Sequence, residues 1–540
     1  MTSRPVHGYS SPMPPIAPPR EAGGEGDLSH PADPSAPFER MARFDACGAL
    51  SLEAGIARWA NRLLLFFLFV LALSVPHSIA VAQASGALSL LAWIARDGAR
   101  RRLHVRATPI DLPLLCFSVC TILSSVFSAE PSLSLPKLKG LLLFGIVYVA
   151  ASNLSVRGVR LVAGVLLASS LVGVGFSLAE KVWGRGMIVT SISEESPLRA
   201  SRMQPGDVIW MIARSRVASP EQAAEVIRRH AAGETLSVET LHDGDPVEVA
   251  IQVTEEMKTR ANPLGIAADG RSRRFRVSGF SRQFQTYAEQ MQMLGLLVFG
   301  GLLVALRRRR DLLWRGPVLY GGLFLLFSFA LMLTATRAVI AAFIGALVLV
   351  SIRFGGRIAP AIALAAALGL GGLGLWVVKN ARNQSTVNFQ DDSTSRRLAY
   401  MQAGLRLIPQ HPLLGVGMDS HKRHWTEWGF PGDYITHTHS TPVQIAMERG
   451  LPALFCLVWL IVALLRAAWR RSLRAREAQA PFAEGLHLGL FGALLGFSIS
   501  SLTNYNFGDS EVLMQLLLLV GMSLGALGAP RAGSAPEQVA

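Results

Sequence analysis

The sequence predicts a mostly α-helical, polytopic membrane protein of about twelve spans, with a small α+β domain inserted in an outer loop. Three observations carry this. Hydrophobic residues make up 51% of the 540-residue chain and charged residues only 16%, against about 25% charged in ordinary soluble proteins. The apolar residues fall in runs of about 16–22, the length needed to cross a bilayer. Arginines gather after alternate runs, as they do at the cytoplasmic ends of membrane helices. A water-soluble enzyme is excluded. The net charge is +15, from 52 Lys+Arg against 37 Asp+Glu. Much of this charge sits between apolar runs, where it orients helices, so no nucleic-acid partner follows.

In chain order, residues 1–57 are proline-rich and lack an apolar signal core, which predicts a disordered cytoplasmic tail. Apolar runs then predict spans near 60–75, 79–95, 110–127, 138–153, 158–178, 289–306, 317–335, 338–352, 358–378, 442–465, 484–503 and 510–528. Pro76 and His77 divide the first pair. Arg96, Arg307 to Arg310, Arg353 and Arg466 to Arg476 follow even-numbered spans, which places those exits and both termini in the cytoplasm. Residues 179–288 and 379–441 then face outward. Arg271, Arg273, Arg274, Arg276 and Arg282 lie on that outer side, against the charge rule, and suit an anionic ligand there. Of four cysteines, Cys116, Cys120 and Cys456 lie within apolar runs and Cys47 in the tail, so no disulfide framework is implied.

Residues 183–256 differ from the rest in their mixed polarity and short β-like runs. Strands are expected at Met187–Ile192 and Val208–Ile212, and a helix at 220–230 with Ser219 as its cap. Two alternating strands, 235–241 and 246–253, flank an Asp243–Gly244 turn. Ser196–Pro197, the Pro205–Gly206–Asp207 entry and the helix before a final hairpin resemble a bacterial-type PDZ domain. That resemblance implies a protein C-terminus bound as an added strand beside the helix, its carboxylate held by Trp183, Gly184, Arg185 and Gly186.

Three outward-facing features could carry chemistry. Arg337, in LTATRAVIAAF, sits at a span boundary where a charged side chain needs a partner. Arg397 begins an amphipathic helix with Leu398, Met401 and Leu405 on one face, ending near Pro409 before the turn His411-Pro412-Leu413-Leu414-Gly415-Val416-Gly417. His437 and His439 lie just before a helix that Ser440 can cap, and Gly450-Leu451-Pro452 interrupts that helix. Two histidines without a third ligand do not make a metal site.

Taken together, these features resemble the O-antigen ligase and O-antigen polymerase superfamily of bacterial membrane glycosyltransferases. LTATRAVIAAF is similar to its LTxSRG element, with Ala338 in place of glycine. RLAYMQAGLRLIPQHPLLGVG is similar to RxxxWxxALxxIxxHPLxGxG, with Met401 in place of tryptophan. HTHSTPVQIAMERGLPAL is similar to HxHNxYLQxxxExGxxGL, and RVSGFSRQFQTYAEQ, from Arg276, resembles the segment preceding the sixth span. The resemblance covers residues 60–178 and 270–528.

The resemblance implies an inner-membrane enzyme that moves a polysaccharide from an undecaprenyl-pyrophosphate donor to lipid A-core or a similar acceptor at the periplasmic face, or onto a second lipid-linked glycan if it is a polymerase. Arg337, Arg397 and Arg276 are then expected to grip the pyrophosphate, since a guanidinium can hold two oxygens at once. His439 is the expected base for the acceptor hydroxyl. No metal or cofactor is implied. The organisation becomes membrane helices at 58–178, 270–378 and 442–528, a periplasmic PDZ-like domain at 183–256, a periplasmic catalytic loop at 379–441 and a cytoplasmic tail at 529–540. An intramembrane protease is the competing class, but the chain has no HExxH, and Ser498 and Ser500 have no facing histidine in the sequence pattern. Internal symmetry of the kind transporters show is not detectable.

Overall fold

In a computed structural model, the chain divides into residues 1–55 and residues 56–540. The described residues are 36–102, 105–199, 201, 203–242, 245–281, 283–308, 315–354, 368–369, 371–374, 377, 392–432 and 436–526. The expected ninth span, 358–378, falls largely outside them, as do the Asp243–Gly244 turn and Arg282.

Five helices come first: α1 (Ala36–Ser74), α2 (Ile79–Ala99), α3 (Asp111–Val126), α4 (Pro131–Asn153) and α5 (Val156–Trp183). A β-rich domain follows, with β1 (Met187–Ile192), β2 (Val208–Ile212), β3 (Ser215–Arg216), α6 (Pro220–Arg228), β4 (Thr235–His242), β5 (Asp245–Gln252), α7 (Glu255–Thr259) and β6 (Ile266–Asp269). The remaining helices are α8 (Phe284–Arg307), α9 (Arg315–Leu333), α10 (Arg337–Phe354), α11 (Asp392–Leu407), α12 (Thr441–Glu477), α13 (Pro481–Ser500) and α14 (Ser510–Gly525). Among the described residues, eight helices are long and apolar enough to span a membrane: the Gly55–Ser74 part of α1, then α2, α4, α5, α8, α9, α12 and α13. The third and twelfth expected spans are the shorter apolar helices α3 and α14, and the eighth is α10.

Local chemistry sets the breaks. Pro76 cannot donate a backbone hydrogen bond, and Ser78 caps α2 by accepting from Val81 N. Within α4, residues Leu135–Phe144 wind as a 3-10 helix with Pro136 near its start. Around α8 the bundle is densest: α9, α10 and α13 pack on it, and nearly its whole length is buried. Gly300 and Gly489 allow the α8–α13 approach, since a β-carbon on Gly300 would lie 2.3 Å from Gly489 N.

The basic exits gather at one end. Arg96 reaches Asn153 at 2.5 Å, Arg307 pairs with Glu484, and Arg471 donates to Ser523 O at 3.4 Å. The domain, the α9–α10 turn and the loops around α11 occupy the other, which we call the site end.

The domain is one sheet in the order β5-β4-β2-β1-β6, with β3 on β2. β1, β2 and the cap at Ser219 agree with the sequence reading. The sheet runs past residue 256, however, because β6 pairs antiparallel with β1, Ile192 opposite Ile266 and Ile188 opposite Asp269. β1 thus has partners on both sides, β2 and β6.

That arrangement corrects the expected peptide cradle. Gly184 N bonds Glu180 O at 2.9 Å, and Arg185 exchanges backbone bonds with Ser272 at 2.7 and 3.1 Å. A β-carbon on Gly186 would fall 2.4 Å from Ile209 O, while the Trp183 side chain is exposed at the end of α5. The Arg185 side chain is buried and grips Glu180 through Nε–Oε1 at 3.0 Å and Nη2–Oε2 at 2.5 Å, between the Trp210 and Phe275 rings. Arg216 adds a third bond to Glu180 at 2.9 Å. Trp183–Gly186 is therefore the clamp that fixes the domain to α5. The unpaired edge beside a helix belongs to β6, which lies against α6.

Candidate active site at the site end of the bundle

The α12 helix is broken at Gly450 (φ 81°, ψ 168°). At the break, Met447 O accepts from Val416 N at 2.9 Å and Glu448 O from Gly417 N at 2.8 Å, while Leu451 N donates to Pro412 O at 2.8 Å. The apolar turn after α11 thereby supplies the hydrogen bonds that the break leaves open. A β-carbon at Gly450 would sit 2.1 Å from Leu413 O, at a positive φ that only glycine adopts freely. Gly450→Ala is expected to destabilise the protein by about 2–4 kcal/mol. Thermal unfolding in detergent checks this, with Gly429→Ala, at a similar φ of 72° but meeting no neighbour, isolating the backbone part of the loss from the clash with Leu413 O.

The loop between the turn and α12 carries its own small core of Tyr400, Ala403, Leu407, Val416, Trp425, Phe430 and Met447. Trp425 stacks on Phe430 at 4.5 Å and donates Nε1–H to Gly432 O at 2.9 Å. This core packs on a different face of α11 from the one that carries Leu398, Met401 and Leu405. Leu398 and Leu405 are exposed, and Tyr400, Ala403 and Leu407 are buried instead. Ala403 and Gly404 let α11 approach α12 closely, and a β-carbon on Gly404 would lie 2.7 Å from Thr438 Cγ2.

His437 and His439 lie against this core. Their ring centroids are 4.3 Å apart, Tyr400 stacks on His439 at 5.9 Å, and Tyr505 lies 5.4 Å from His437. His439 N–H donates to His437 Nδ1 at 3.1 Å, so that nitrogen is an acceptor. His439 holds a left-handed backbone (φ 54°), and its Nδ1 is buried without a hydrogen-bond partner among the described residues. Strained, polar and unsatisfied atoms of this kind concentrate at functional sites. Burial, followed by the charges of Arg397 and His421, pushes the His437 imidazole down to about 4. Burial, His437 and Arg397 push His439 down to about 3. Both rings are neutral near pH 7, and Arg397 acts on both.

A buried carboxylate holds this segment in place. Glu448 Oε1 accepts from Gln444 Nε2 at 2.8 Å and from Asp419 N at 2.9 Å, and His421 Nδ1 faces it at 3.6 Å. Gln444 Oε1 in turn accepts from Thr438 N at 2.8 Å, and His421 Nε2 meets Thr436 O at 2.9 Å. Asp419 is further tied to Lys137 of α4 at 2.5 Å and to Lys422 at 3.0 Å. None of Glu448, Gln444, His421 and Asp419 was singled out from sequence. The signal was present for the first two, four residues apart on one face of α12.

Arg276 and Arg337 form a second group. Arg276 is buried, lies 3.3 Å over the Phe284 ring, and donates Nε–H to Thr334 O at 2.9 Å and Nη2–H to Thr336 Oγ1 at 3.1 Å. It thus braces the turn Thr334-Ala335-Thr336, strained at Ala335 (φ 50°), from which Arg337 opens α10. Both groups meet the same end of α8. Phe284 contacts Arg276, and Glu289 accepts from Asn504 at 3.2 Å, whose carbonyl takes the Thr441 N–H at 3.1 Å. Five residues, about 7.5 Å of helix, separate Phe284 from Glu289.

Among the described residues, no cluster of three or more His, Cys, Asp or Glu is placed to hold a metal. Ser500 donates to Glu289 at 2.8 Å and Ser498 to Leu494 O at 2.6 Å, so neither serine is paired with an imidazole.

A helical membrane bundle with a soluble binding domain inserted before its central helix, and a polar cluster at one end, defines a multi-pass membrane protein. Residues 322–458 match the O-antigen ligase family model, and residues 170–253 match the PDZ domain model. The chain therefore carries an O-antigen ligase domain and a PDZ domain, as their motifs indicated. The first supports a ligase-type role in glycan assembly, and the second supports peptide binding. No curated protein matches the chain.

Proposed function

We propose that the protein is a glycan ligase that transfers a polysaccharide from an undecaprenyl-pyrophosphate donor to lipid A-core or a similar acceptor at the periplasmic face of the bacterial inner membrane. The observation that carries this reading is the pairing of two neutral imidazoles, 4.3 Å apart, under the charge of Arg397 in a buried polar site. Arg397 and Arg337 grip the pyrophosphate, and Arg276 holds the turn that presents Arg337. The acceptor oxygen attacks the anomeric carbon, its proton passes to His439, and the anomeric C–O bond breaks with its electron pair leaving on undecaprenyl pyrophosphate. The membrane helices and the periplasmic loop then carry the chemistry, the PDZ domain recruits a partner without supplying a catalytic residue, and both termini are cytoplasmic.

A base held near 3 is weak until substrate arrives. An anionic phosphate about 5 Å away contributes on the order of 3 kcal/mol at an effective dielectric of 20, or about two pKa units upward. The donor thus activates its own base. The acid limb of kcat/KM, which reports the free enzyme, is expected below pH 5 rather than near 6.5, because His439 stays neutral until pH falls towards about 3. The kcat limb, which reports the donor complex, is expected at higher pH. Steady-state rates across pH 4–8 test this, and coincident limbs at 6.5 would remove His439 as the base.

The free edge of β6 beside α6 is where a partner's C-terminus adds as a strand. Purified domain-bearing protein challenged with C-terminal peptides, with Ala267→Pro as the edge variant, tests that placement.

A further inference from the structure

At the arginine-rich end of the bundle, α12 carries Arg466, Arg470 and Arg474 at four-residue spacing on one face. All three are exposed, and none has an ion-pair partner among the described residues. Like charges at this spacing oppose helix formation, so the helix gains from an anion that bridges them. Two grooves flank this ridge and share Arg466 and Arg470. One, of about 560 Å³, is walled by Pro109, Trp459, Val462 and Ala463. The other, of about 340 Å³, is walled by Leu465, Trp469 and Phe491. Both walls are apolar; apart from Pro109, just before α3, and Phe491 of α13, the residues named lie on the same spanning helix as the arginines. From Trp459 to Arg474 the helix rises about 22 Å, enough to run from acyl-chain depth to headgroup depth.

We propose that this surface binds one anionic diacyl phospholipid, its phosphate held by Arg466, Arg470 and Arg474 and one acyl chain in each groove. Three guanidiniums match a phosphodiester, and two apolar channels on either side of them match two chains. A soluble anion would use the arginines and leave the grooves empty, and a neutral lipid would leave the charges unmatched. The site is far from the histidines, and it stands whether or not the transfer reaction is as proposed.

The test is native mass spectrometry of the full-length protein, delipidated in detergent and titrated with phosphatidylglycerol or phosphatidylcholine. The expected result is at least tenfold preference for phosphatidylglycerol, unaffected by millimolar inorganic phosphate. Arg466→Gln/Arg470→Gln/Arg474→Gln should lose that preference, and the triple lysine variant should retain most of it. Because removing the arginines can disturb insertion, Ala463→Trp, which fills the larger groove with the charges intact, should also weaken binding at least tenfold. Equal binding of the two lipids, displacement by phosphate, or full binding by Ala463→Trp would each overturn the proposal.

Discussion

Replacing Arg397 by lysine is expected to lower kcat/KM for the lipid-linked donor on the order of 10²–10³-fold, with protein abundance unchanged. An ammonium keeps the charge that depresses His437 and His439 but cannot present two parallel N–H groups to a pyrophosphate. The loss should appear in both kcat and KM, because the leaving group is held in the ground state and carries more charge in the transition state. Arg337→Lys should behave alike. Arg276→Lys should differ, since its guanidinium is spent on Thr334 O and Thr336 Oγ1 and acts only through the turn. Its effect is expected in kcat, at about tenfold, with donor affinity nearly unchanged. Steady-state kinetics on purified variants separate the two patterns.

Glu448→Ala is expected to have the largest effect on the fold. It leaves Asp419 N–H and the Gln444 amide without their shared acceptor and removes the carboxylate facing His421, all in a buried site. Losing one member of such a network costs about 3–5 kcal/mol. The segment from Thr436 to His439 should then lose its position, and transfer should disappear together with a drop in unfolding temperature. Glu448→Gln keeps an acceptor oxygen and should recover most of the stability. If transfer also returns, Glu448 is a positioning residue; if the Gln variant is stable and inactive, its charge takes part in the reaction.

Much of the bundle was legible because burial in lipid forces long apolar runs, and the proline and glycine breaks at Pro76 and Gly450 are local events. The first two strands of the domain and the Ser219 cap were legible for the same reason: short-range patterning decides them. What escaped depends on distant residues. β6 is four residues long with no alternation, and only its pairing with β1 makes it a strand. Arg185 reads as a ligand-binding residue in a glycine-flanked loop, yet Glu180, one helical turn earlier, had already committed it. In α11 the apolar stripe of Leu398, Met401 and Leu405 was legible, but the face that packs on α12, set by the small residues Ala403 and Gly404, was not. The site was legible as motifs, but its support was not. Glu448, His421 and Asp419 meet only because the turn after α11 docks on a helix break some 30 residues further along.

The most direct test of the account is a single-turnover assay with purified protein, a polyprenyl-pyrophosphate glycan and lipid A-core acceptor. The wild-type protein should yield glycosylated acceptor and polyprenyl pyrophosphate in equal amounts. His439→Ala should bind the donor within a few-fold of wild type and form neither product. Product formation by His439→Ala at the wild-type rate would contradict the account, as would a wild-type protein that accepts the donor and elongates a second lipid-linked glycan while leaving lipid A-core unmodified.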